Sequence, residues 1–442
     1  TLQALRDRGN TLLVVEHDEE TIRRADHLID IGPGAGRLGG QLMASGSPNE
    51  VLKHESSLTA KFLRQPLLHP MQPRRAIPAK HPCIEISKVS LHNLHNVEAR
   101  IPLGRLTVIT GVSGSGKSTL ARDILLKHAQ QHVQQRAKGD ASSDARPLRL
   151  KGIEAIDRVL EVDQTPIGKT PRSCPATYVG FWDAIRKLFA DTQEARIRGW
   201  DASRFSFNTG AGRCKLCEGQ GMQTIEMNFL PNVKMLCEGC KGARFNPATL
   251  EVRWQGFSIG DVLAASVDDA LERFEAHPSI HRALRLLQDV GLGYLSLGQP
   301  SPSLSGGEAQ RIKLVTELAK AKGNEGPKTL YVLDEPTVGL HMADVEKLIR
   351  VFHRLVDAGH SLVVVEHDMD IWAEADWIID LGPEGGDRGG EVTMQAPPEE
   401  LAKHTGHTGR LLGAFLNERL PGQQRQQSSA ASIDDGKHQQ RQ

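Results

Sequence analysis

The chain lacks several features that mark common protein classes. Its 442 residues contain 54 basic and 54 acidic side chains, so any contact with nucleic acid must come from a local patch rather than from bulk charge. No apolar run reaches the roughly 18 residues of a membrane helix, and no charged-then-apolar leader opens the chain. Heptad repeats are absent, which excludes long coiled-coil arms. We therefore expect a cytosolic globular protein of more than one domain that does not cross a membrane.

Cysteine is also scarce, but its spacing is informative. Four of the six cysteines form two C-x-x-C pairs, Cys214 with Cys217 and Cys237 with Cys240, each in a glycine-containing turn. This spacing is typical of a structural zinc site in a reducing compartment, in which four thiolates leave no position for a catalytic water. An iron–sulfur cluster is the alternative for such a ligand set. The sequence favours zinc.

A glycine-rich loop lies between a predicted strand at 106–110 and a predicted helix. Its pattern, G-x-x-x-x-G-K-S, is typical of a phosphate loop, in which backbone N–H groups and a helix N-terminus hold nucleotide phosphates. Lys117 is expected to reach the terminal phosphates and Ser118 to bind Mg²⁺. The predicted nucleotide-binding residues of the loop are Gly111, Ser113, Gly114, Ser115, Gly116, Lys117, Ser118 and Thr119.

A second apolar run, residues 330–333, ends in the two carboxylates of Asp334 and Glu335. On its own, such a run is most often a strand that enters a loop. Together with the phosphate loop, it predicts that Asp334 holds Mg²⁺ through water and that Glu335 is the general base for the attacking water. The expected cofactors are ATP, Mg²⁺ and Zn²⁺.

Two segments of the chain are repeated. LLVVEHD at 12–18 returns as LVVVEHD at 362–368, and ADHLIDIGP at 25–33 returns as ADWIIDLGP at 375–383. His17 and His367 occupy matching places. This repeat predicts the tail of one ATPase module followed by a second, complete module. We expect the chain to be part of a longer tandem protein.

Apolar and proline patterns predict the boundaries of these modules. Five prolines at 64–83 indicate a stiff linker. Short apolar runs at 11–15, 329–333 and 361–365 are typical of buried parallel strands, and 262–287 has helical periodicity, so the predicted class is α/β. The predicted organisation is a first-module tail at 1–63, a linker at 64–83, a second ATPase module at 84–420 with a zinc and DNA-binding insertion at about 165–255, and a disordered tail at 421–442.

Basic residues surround the cysteine pairs, with few carboxylates nearby in the sequence. As a set they suit contact with DNA phosphates, although a single arginine is usually a solvated surface group. Aromatic residues are interleaved with them and are expected to lie in the core. The predicted nucleic-acid contacts are Lys169, Arg172, Arg186, Arg196, Arg198, Arg204 and Arg213.

The motif LSGGE at 304–308 resembles the signature of the ABC ATPase superfamily. The resemblance implies an ABC-type P-loop fold in which Ser305, Gly306 and Gly307 clamp a γ-phosphate held by an opposing module. Gln164 resembles the Q-loop glutamine, and His367 resembles the switch histidine that contacts the γ-phosphate. The first-module tail has no phosphate loop, signature or carboxylate pair. We therefore expect nucleotide binding with weak hydrolysis, unless the missing half is supplied or complete modules pair.

Further segments resemble the second half of the UvrA family, the damage-sensing ATPases of bacterial nucleotide excision repair. They are IGKTPRSCPATY at 167–178, RFSFN at 204–208, EMNFLP at 226–231 and IIDLGPEG at 378–385. The resemblance implies ATP-dependent recognition of damaged double-stranded DNA through its shape. It also implies a homodimer of the full-length protein and loading of UvrB through the first half. Cys174, where many relatives have Asn, and an insertion at 321–328 hint at a UvrA-like paralogue.

Other classes share parts of this pattern. A transporter or translation-factor ABC ATPase would lack the cysteine pairs and the long spacing from Lys117 to Ser305. A chromosome-maintenance ATPase would need heptad arms. A zinc-binding DNA scaffold without ATPase activity conflicts with the intact phosphate loop and carboxylate pair. A truncated UvrA-like paralogue that binds DNA with little ATPase activity of its own stays open.

Overall fold

A computed structural model describes residues 2–36, 39–138, 150–227, 230–320 and 327–419. The chain divides into two compact units, a smaller one of Thr1–Leu67 with Thr337–Glu346 and a larger one of Leu68–Pro336 with Lys347–Gln442. Within the described ranges, no helix is long and apolar enough to cross a membrane. The predicted tail at 421–442 and most of the insertion at 321–328 lie outside the described residues.

The smaller unit contains a two-stranded antiparallel sheet and short helices. Its elements are α1 (Leu2–Arg6), α2 (Glu19–Arg23), β1 (Leu28–Gly32), β2 (Gln41–Gly46), α3 (Pro48–Val51) and α4 (Leu58–Arg64). Ile22, Leu63 and Met342 form one buried apolar cluster. A polar contact accompanies it, because the Thr59 hydroxyl lies 3.2 Å from Nε2 of His341.

The larger unit is built on a six-stranded sheet. The strands of the larger unit, including those outside this sheet, are β3 (Cys83–Leu91), β4 (Leu94–Pro102), β5 (Leu106–Gly111), β6 (Arg158–Val162), β7 (Met222–Met227), β8 (Leu230–Leu236), β9 (Thr329–Asp334), β10 (Ser361–Val365), β11 (Trp377–Gly382) and β12 (Glu391–Ala396). The sheet has the order β12–β11–β5–β10–β9–β6, and among these strands only β12 runs antiparallel to its neighbour. The pairs β3–β4 and β7–β8 form separate hairpin sheets. This mixed sheet confirms the predicted α/β class.

Helices connect these strands. They are a π-helical stretch (Thr119–Leu126) that continues as α5 (Lys127–Lys138), then α6 (Pro175–Val179), α7 (Trp182–Ala190), α8 (Gln193–Ile197), α9 (Pro247–Glu251), α10 (Ile259–Ala264), α11 (Val267–Arg273), α12 (Pro278–Asp289), α13 (Gly306–Lys320), α14 (Met342–Asp357), α15 (Met369–Glu374), α16 (Pro398–Leu401) and α17 (His407–Arg419). The predicted helical segment at 262–287 is divided among α10, α11 and α12. It breaks because Ser266 caps a new helix by accepting the Asp269 N–H, and Pro278 begins another.

The central strands explain where functional residues collect. Strands β5 and β10 are buried along their whole length and carry the apolar runs expected of a parallel sheet covered on both faces. Strands β5, β6, β9 and β10 are parallel, so their carboxyl ends lie along one edge of the sheet. This edge is where open α/β sheets bind ligands.

The predicted strand at 11–15 is wrong. These residues have no regular secondary structure, and Leu13 and Val15 are 87% and 86% exposed. The repeated run in β10 is paired on both sides, by β5 and by β9. The described part of the smaller unit offers no such neighbours to 11–15, and a strand without partners for its backbone groups is not stable in water.

The proline-rich linker has no helix or strand at 68–82, as its composition predicts. It nevertheless binds tightly within the larger unit. His69 is fully buried between Asp370 and Glu374. Arg74 donates to the carbonyl oxygens of residues 373 and 375 and pairs with Glu399 at 2.6 Å. The linker from residue 68 onward is therefore part of the folded unit rather than a free spacer.

Candidate nucleotide and zinc sites

Four predicted site segments follow four neighbouring strands of the sheet. The phosphate loop follows β5, Gln164 follows β6, Asp334 and Glu335 end and follow β9, and His367 follows β10. Because the four strands are parallel, all of these segments lie at the same edge. The fold thus collects residues that are far apart in the sequence into one candidate site.

Glycines shape the phosphate loop. Gly111 has a φ of +131°, and a Cβ on it would lie 2.0 Å from the carbonyl oxygen of Leu381 on the adjacent strand. Gly114 and Gly116 also have positive φ values, 76° and 99°, which only glycine adopts at little cost. The chain can make this tight turn from strand to helix only because it carries glycine at these positions.

Lys117 folds back over the loop. It is 6% exposed, and its Nζ donates to the carbonyl oxygens of Gly111 and Val112 at 3.0 and 2.9 Å. Burial lowers the pKa of Lys117, and the carboxylates of Glu335 and Asp334 oppose this shift. The amine is held on the loop that would receive phosphate, where a nucleotide can replace these carbonyl contacts.

The carboxylate pair lies beside this loop. Burial raises the pKa of Asp334, and Arg122, 3.4 Å from Oδ2, opposes that rise. Glu335 has a left-handed φ of +44°, a strained conformation for a residue with a side chain. Its N–H donates to the Val365 carbonyl at 2.9 Å, which fixes the turn against β10.

Gln164 and His367 both approach Glu335. The Gln164 Nε2 donates to the Glu335 carbonyl oxygen at 3.3 Å, and the His367 Nε2 lies 3.7 Å from Oε1 of Glu335. Burial lowers the pKa of His367, and the charge of Lys117 lowers it further. A neutral imidazole next to a carboxylate is suited to hold a water or a phosphate oxygen by hydrogen bonding.

These residues fit magnesium and nucleotide phosphate. Among the described residues, Oγ of Ser115 and Oδ1 of Asp334 are buried without a hydrogen-bond partner. Buried polar oxygens are normally paired, and these two atoms at one sheet edge have the chemistry to bind a metal ion or its waters. Oxygen ligands of this kind, with several waters, are those that Mg²⁺ prefers. Residues Lys117, Ser118 and Asp334 would hold the metal–nucleotide complex.

The signature motif caps helix α13. The Ser305 N–H donates to Oε2 of Glu308 at 2.7 Å, and the Glu308 N–H donates to Oγ of Ser305 at 3.2 Å, which together form a capping box. The hydroxyl of Tyr294 also donates to Glu308. The amides of Gly306 and Gly307 lie in the first turn of α13, where helix N–H groups have no intrahelical acceptor.

The four predicted zinc ligands come together. Cys214, Cys217, Cys237 and Cys240 are all buried, and their sulfur atoms lie within 4.8 Å of one another. Two of the sulfur pairs are 3.9 and 3.6 Å apart. A tetrahedron with Zn–S bonds of about 2.3 Å places its sulfurs about 3.8 Å apart. The cluster therefore has the size of a four-thiolate zinc site at the base of the β7–β8 hairpin.

The predicted DNA-contacting residues are largely engaged within the protein. Arg172, Arg186, Arg196 and Arg198 form ion pairs with nearby carboxylates. Arg204 stacks over Trp200 at 4.0 Å. Lys169 and Arg213 form no ion pair within the described residues, although Arg213 donates to the Asn208 carbonyl oxygen. The DNA-contact set stays a prediction, and these two residues are its strongest members.

Several residues that shape the site were not predicted. Arg122 pairs with both Asp334 and Glu161. Lys313, on α13, donates to Asp163 and to the Thr165 hydroxyl, on either side of Gln164. No motif marks such residues in the sequence, because their role depends on contacts that form only in the folded chain.

Known proteins are similar in sequence to this chain over almost its whole length. No model of a protein family matches the chain. UvrABC system protein A of Thermus thermophilus is 54% identical over 422 residues, which are 95% of this chain and 43% of that protein. UvrABC system protein A of Aquifex aeolicus is 52% identical over 419 residues, 95% of this chain and 44% of that protein. The chain is homologous to the C-terminal portion of UvrA.

A solved structure supports the same homology with UvrA. The crystal structure of UvrA2 from Deinococcus radiodurans matches with a TM-score of 0.84 and 46% identity, over 95% of this chain and 50% of that one. The chain thus spans about half or less of the length of the UvrA proteins it matches. The predicted resemblance to the second half of UvrA and the predicted α/β class are confirmed.

Proposed function

We propose that this chain binds ATP with Mg²⁺ and uses it to control binding to damaged double-stranded DNA, as part of nucleotide excision repair. The main support is that one compact unit of a UvrA homologue contains both a phosphate loop with its carboxylate pair and a four-cysteine cluster. A transporter-type ATPase module would lack the four-cysteine cluster, and a zinc scaffold without ATPase activity would lack the carboxylate pair.

The roles of the site residues follow from their positions. Lys117 leaves its loop carbonyls and donates to the terminal phosphates. Ser118 and Asp334 would hold Mg²⁺, which would neutralise phosphate charge when bound. Glu335 accepts a proton from the attacking water, and His367 and Gln164 position that water beside it. Glu335 suits this role because its strained turn is held on β10 and cannot drift.

The signature supports assembly with another module. Ser305, Gly306 and Gly307 present a hydroxyl and two helix-end amides, which suit a phosphate held by an opposing module. The described smaller unit carries no phosphate loop, so hydrolysis by this chain alone is expected to be weak. We propose that the full-length protein forms a homodimer and loads UvrB through its first half.

The four-cysteine cluster and the β7–β8 hairpin above it are the proposed DNA-reading element. Four thiolates would hold Zn²⁺ as a structural ion and so order the β7–β8 hairpin and the turns around it. Lys169 and Arg213 provide positive charge close to it in the sequence. Recognition through these groups is expected to depend on DNA deformability rather than on base sequence.

The test is binding of this chain to one duplex with and without a bulky adduct, by fluorescence anisotropy over a salt series with ATP present. Tighter binding to the adduct that persists at high salt supports damage recognition. Equal and steeply salt-dependent binding would show a basic surface only. A matched Lys117→Ala variant separates the contribution of nucleotide.

The second candidate is a truncated UvrA-like paralogue that binds DNA with little ATPase activity of its own. The described residues of the smaller unit contain no phosphate loop and no signature, whereas each ABC site needs a phosphate loop and an opposing signature. Steady-state phosphate release decides between the two. Turnover that rises with the square of protein concentration indicates paired modules, whereas turnover no higher than that of Glu335→Gln supports the paralogue.

A further inference from the structure

Arg244 lies between the cysteine cluster and the loop that leads into the signature. It is only 3% exposed, although it carries a charge. Its carbonyl oxygen accepts the N–H of Cys214 at 2.9 Å, and its Nη2 donates to the carbonyl oxygen of Gly298 at 2.7 Å. One residue therefore bonds both to the turn that carries a metal ligand and to the loop at 297–304.

The guanidinium of Arg244 needs a counter-charge, because an uncompensated buried charge is costly. Its Nη1 has no hydrogen-bond partner among the described residues, and the ring of Phe207 lies 4.9 Å from its central carbon. Burial lowers the pKa of Arg244, and the sulfur atoms of Cys174, Cys217 and Cys240 oppose that shift. Four thiolates around one Zn²⁺ carry net negative charge, so a loaded cluster supplies what Arg244 lacks.

The loop at 297–304 has little freedom of its own. The Gly298 N–H donates to the Leu263 carbonyl at 2.8 Å, and a Cβ on Gly298 would lie 3.0 Å from that same oxygen. Ser301 donates through its N–H to Ser173 and through its hydroxyl to Gly168, both at 2.8 Å. The segment between those two acceptors contains the predicted DNA contacts Lys169 and Arg172. The loop is thus fixed to the cluster on one side and to the candidate DNA segment on the other.

The same loop continues into the nucleotide site. After residue 304 the chain enters the signature, where a Cβ on Gly306 would lie 3.0 Å from the side chain of Gln164. Gln164 in turn donates to the Glu335 carbonyl oxygen. Close contacts therefore connect Gly298 to Glu335, the proposed general base, and can transmit a displacement between them.

We propose that Arg244 is a positioning residue that couples the cysteine cluster and the candidate DNA segment to the nucleotide site through the loop at 297–304. This inference rests on the proposed function, because it needs both DNA and nucleotide to bind. Coupling between two sites is reciprocal and typically changes each affinity by about fivefold or more. Arg244 is expected to carry that change without touching either ligand.

The experiment measures the affinity of the full chain for a fluorescent non-hydrolysable ATP analogue, with and without a saturating duplex. Arg244→Met is compared with wild type and with Arg253→Met, which removes an arginine that is 54% exposed and pairs with Asp261 at the surface. Zinc content is measured for each protein by atomic emission. Arg244→Lys adds a rescue test, because it restores the charge but not the forked donors.

We expect saturating duplex to change the affinity for the ATP analogue by about fivefold or more in wild type and in Arg253→Met. In Arg244→Met the change is expected to be less than about twofold, with zinc content and duplex affinity equal to those of wild type. Arg244→Lys is expected to fall between them. If Arg244→Met is insoluble, Arg244→Gln takes its place in the same comparison.

Three outcomes overturn the inference. They are a full shift in Arg244→Met, a wild-type chain that binds both ligands with no shift, and loss of zinc from Arg244→Met, which would make Arg244 a support of the metal site only. A wild-type chain that binds neither duplex nor nucleotide refutes the proposed function instead, before any variant is compared.

Discussion

Replacement of His69 by Gln tests how the linker is held in the larger unit. His69 is 0% exposed, and its Nδ1 and Nε2 lie 2.6 Å from Glu374 Oε1 and 2.7 Å from Asp370 Oδ1. Burial opposes charge on the ring, but the hydrogen bonds to Asp370 and Glu374 outweigh it and raise the pKa of His69. Since both nitrogens face carboxylates, the ring donates twice only as imidazolium.

The size of the effect follows from Glu374, which is 1% exposed. Burial alone would raise the pKa of Glu374, but hydrogen bonds from His353 and His69 lower it from 4.5 to about 2. At about 1.36 kcal/mol per pKa unit, this corresponds to roughly 3 kcal/mol shared by two histidines. The bond to Asp370 adds about 1.5–3 kcal/mol. We expect His69→Gln to lower the free energy of unfolding by about 3 kcal/mol.

The loss of unfolding free energy caused by His69→Gln should become smaller both at low pH and at high pH. The pKa of Glu374 is depressed, so its contribution is present above about pH 4.5 and is lost as pH falls toward about 2. The pKa of His69 is raised, so its contribution is complete below its ordinary value of 6.5 and is lost as pH rises through the folded value. The difference between wild type and variant is therefore largest between about pH 4.5 and 6.5.

Urea unfolding at pH 5.5 and at pH 8.5 measures this difference, and hydrogen exchange at 68–76 shows whether the linker is the part that opens. The control is His95→Gln, which changes an exposed histidine on β4. A loss below about 0.5 kcal/mol at pH 5.5, which is the range of ordinary surface substitutions, would refute this reasoning. An equal loss at both pH values would show that packing, not charge, holds the linker.

Three further changes test the sites. Glu335→Gln should keep ATP affinity within about twofold but stop phosphate release, since the amide cannot accept a proton; turnover at the wild-type rate would remove Glu335 from its role. Cys237→Ser should lose zinc and adduct preference while ATP binding, measured by the same fluorescent analogue, survives; loss of both would contradict a separable DNA-reading element. Gly111→Ala should abolish nucleotide binding and cost about 2–4 kcal/mol, because its methyl would strike the Leu381 carbonyl. Gly104→Ala, at an open position with φ +63°, is its control in thermal unfolding and should cost about 1 kcal/mol.

Local patterns predicted the parts of the site that depend on local geometry. The phosphate loop and the two C-x-x-C pairs each use residues within a short stretch, and the parallel sheet then brings Asp334 to the loop. The run at 11–15 misled because it has the composition of a strand, whereas a strand also needs neighbours. Composition alone does not reveal whether those neighbours are present.

Contacts between distant segments could not be predicted in the same way. The basic residues around the cluster suggested an open positive surface, but Arg198 pairs with Glu251 from a separate helix. His69 reads as one more linker residue until α15 brings Asp370 beside it.

The capping box at Ser305 determines which hydrogen the serine can donate to a bound molecule. The hydroxyl oxygen already accepts the Glu308 N–H, and the Ser305 N–H is already given to the Glu308 carboxylate. What the serine can still donate outward is its hydroxyl hydrogen, and the helix-end amides of Gly306 and Gly307 add two further donors. The start of α13 therefore presents hydrogen-bond donors to a bound molecule. It favours an electron-rich oxygen over a cation, whichever molecule brings that oxygen to the helix end.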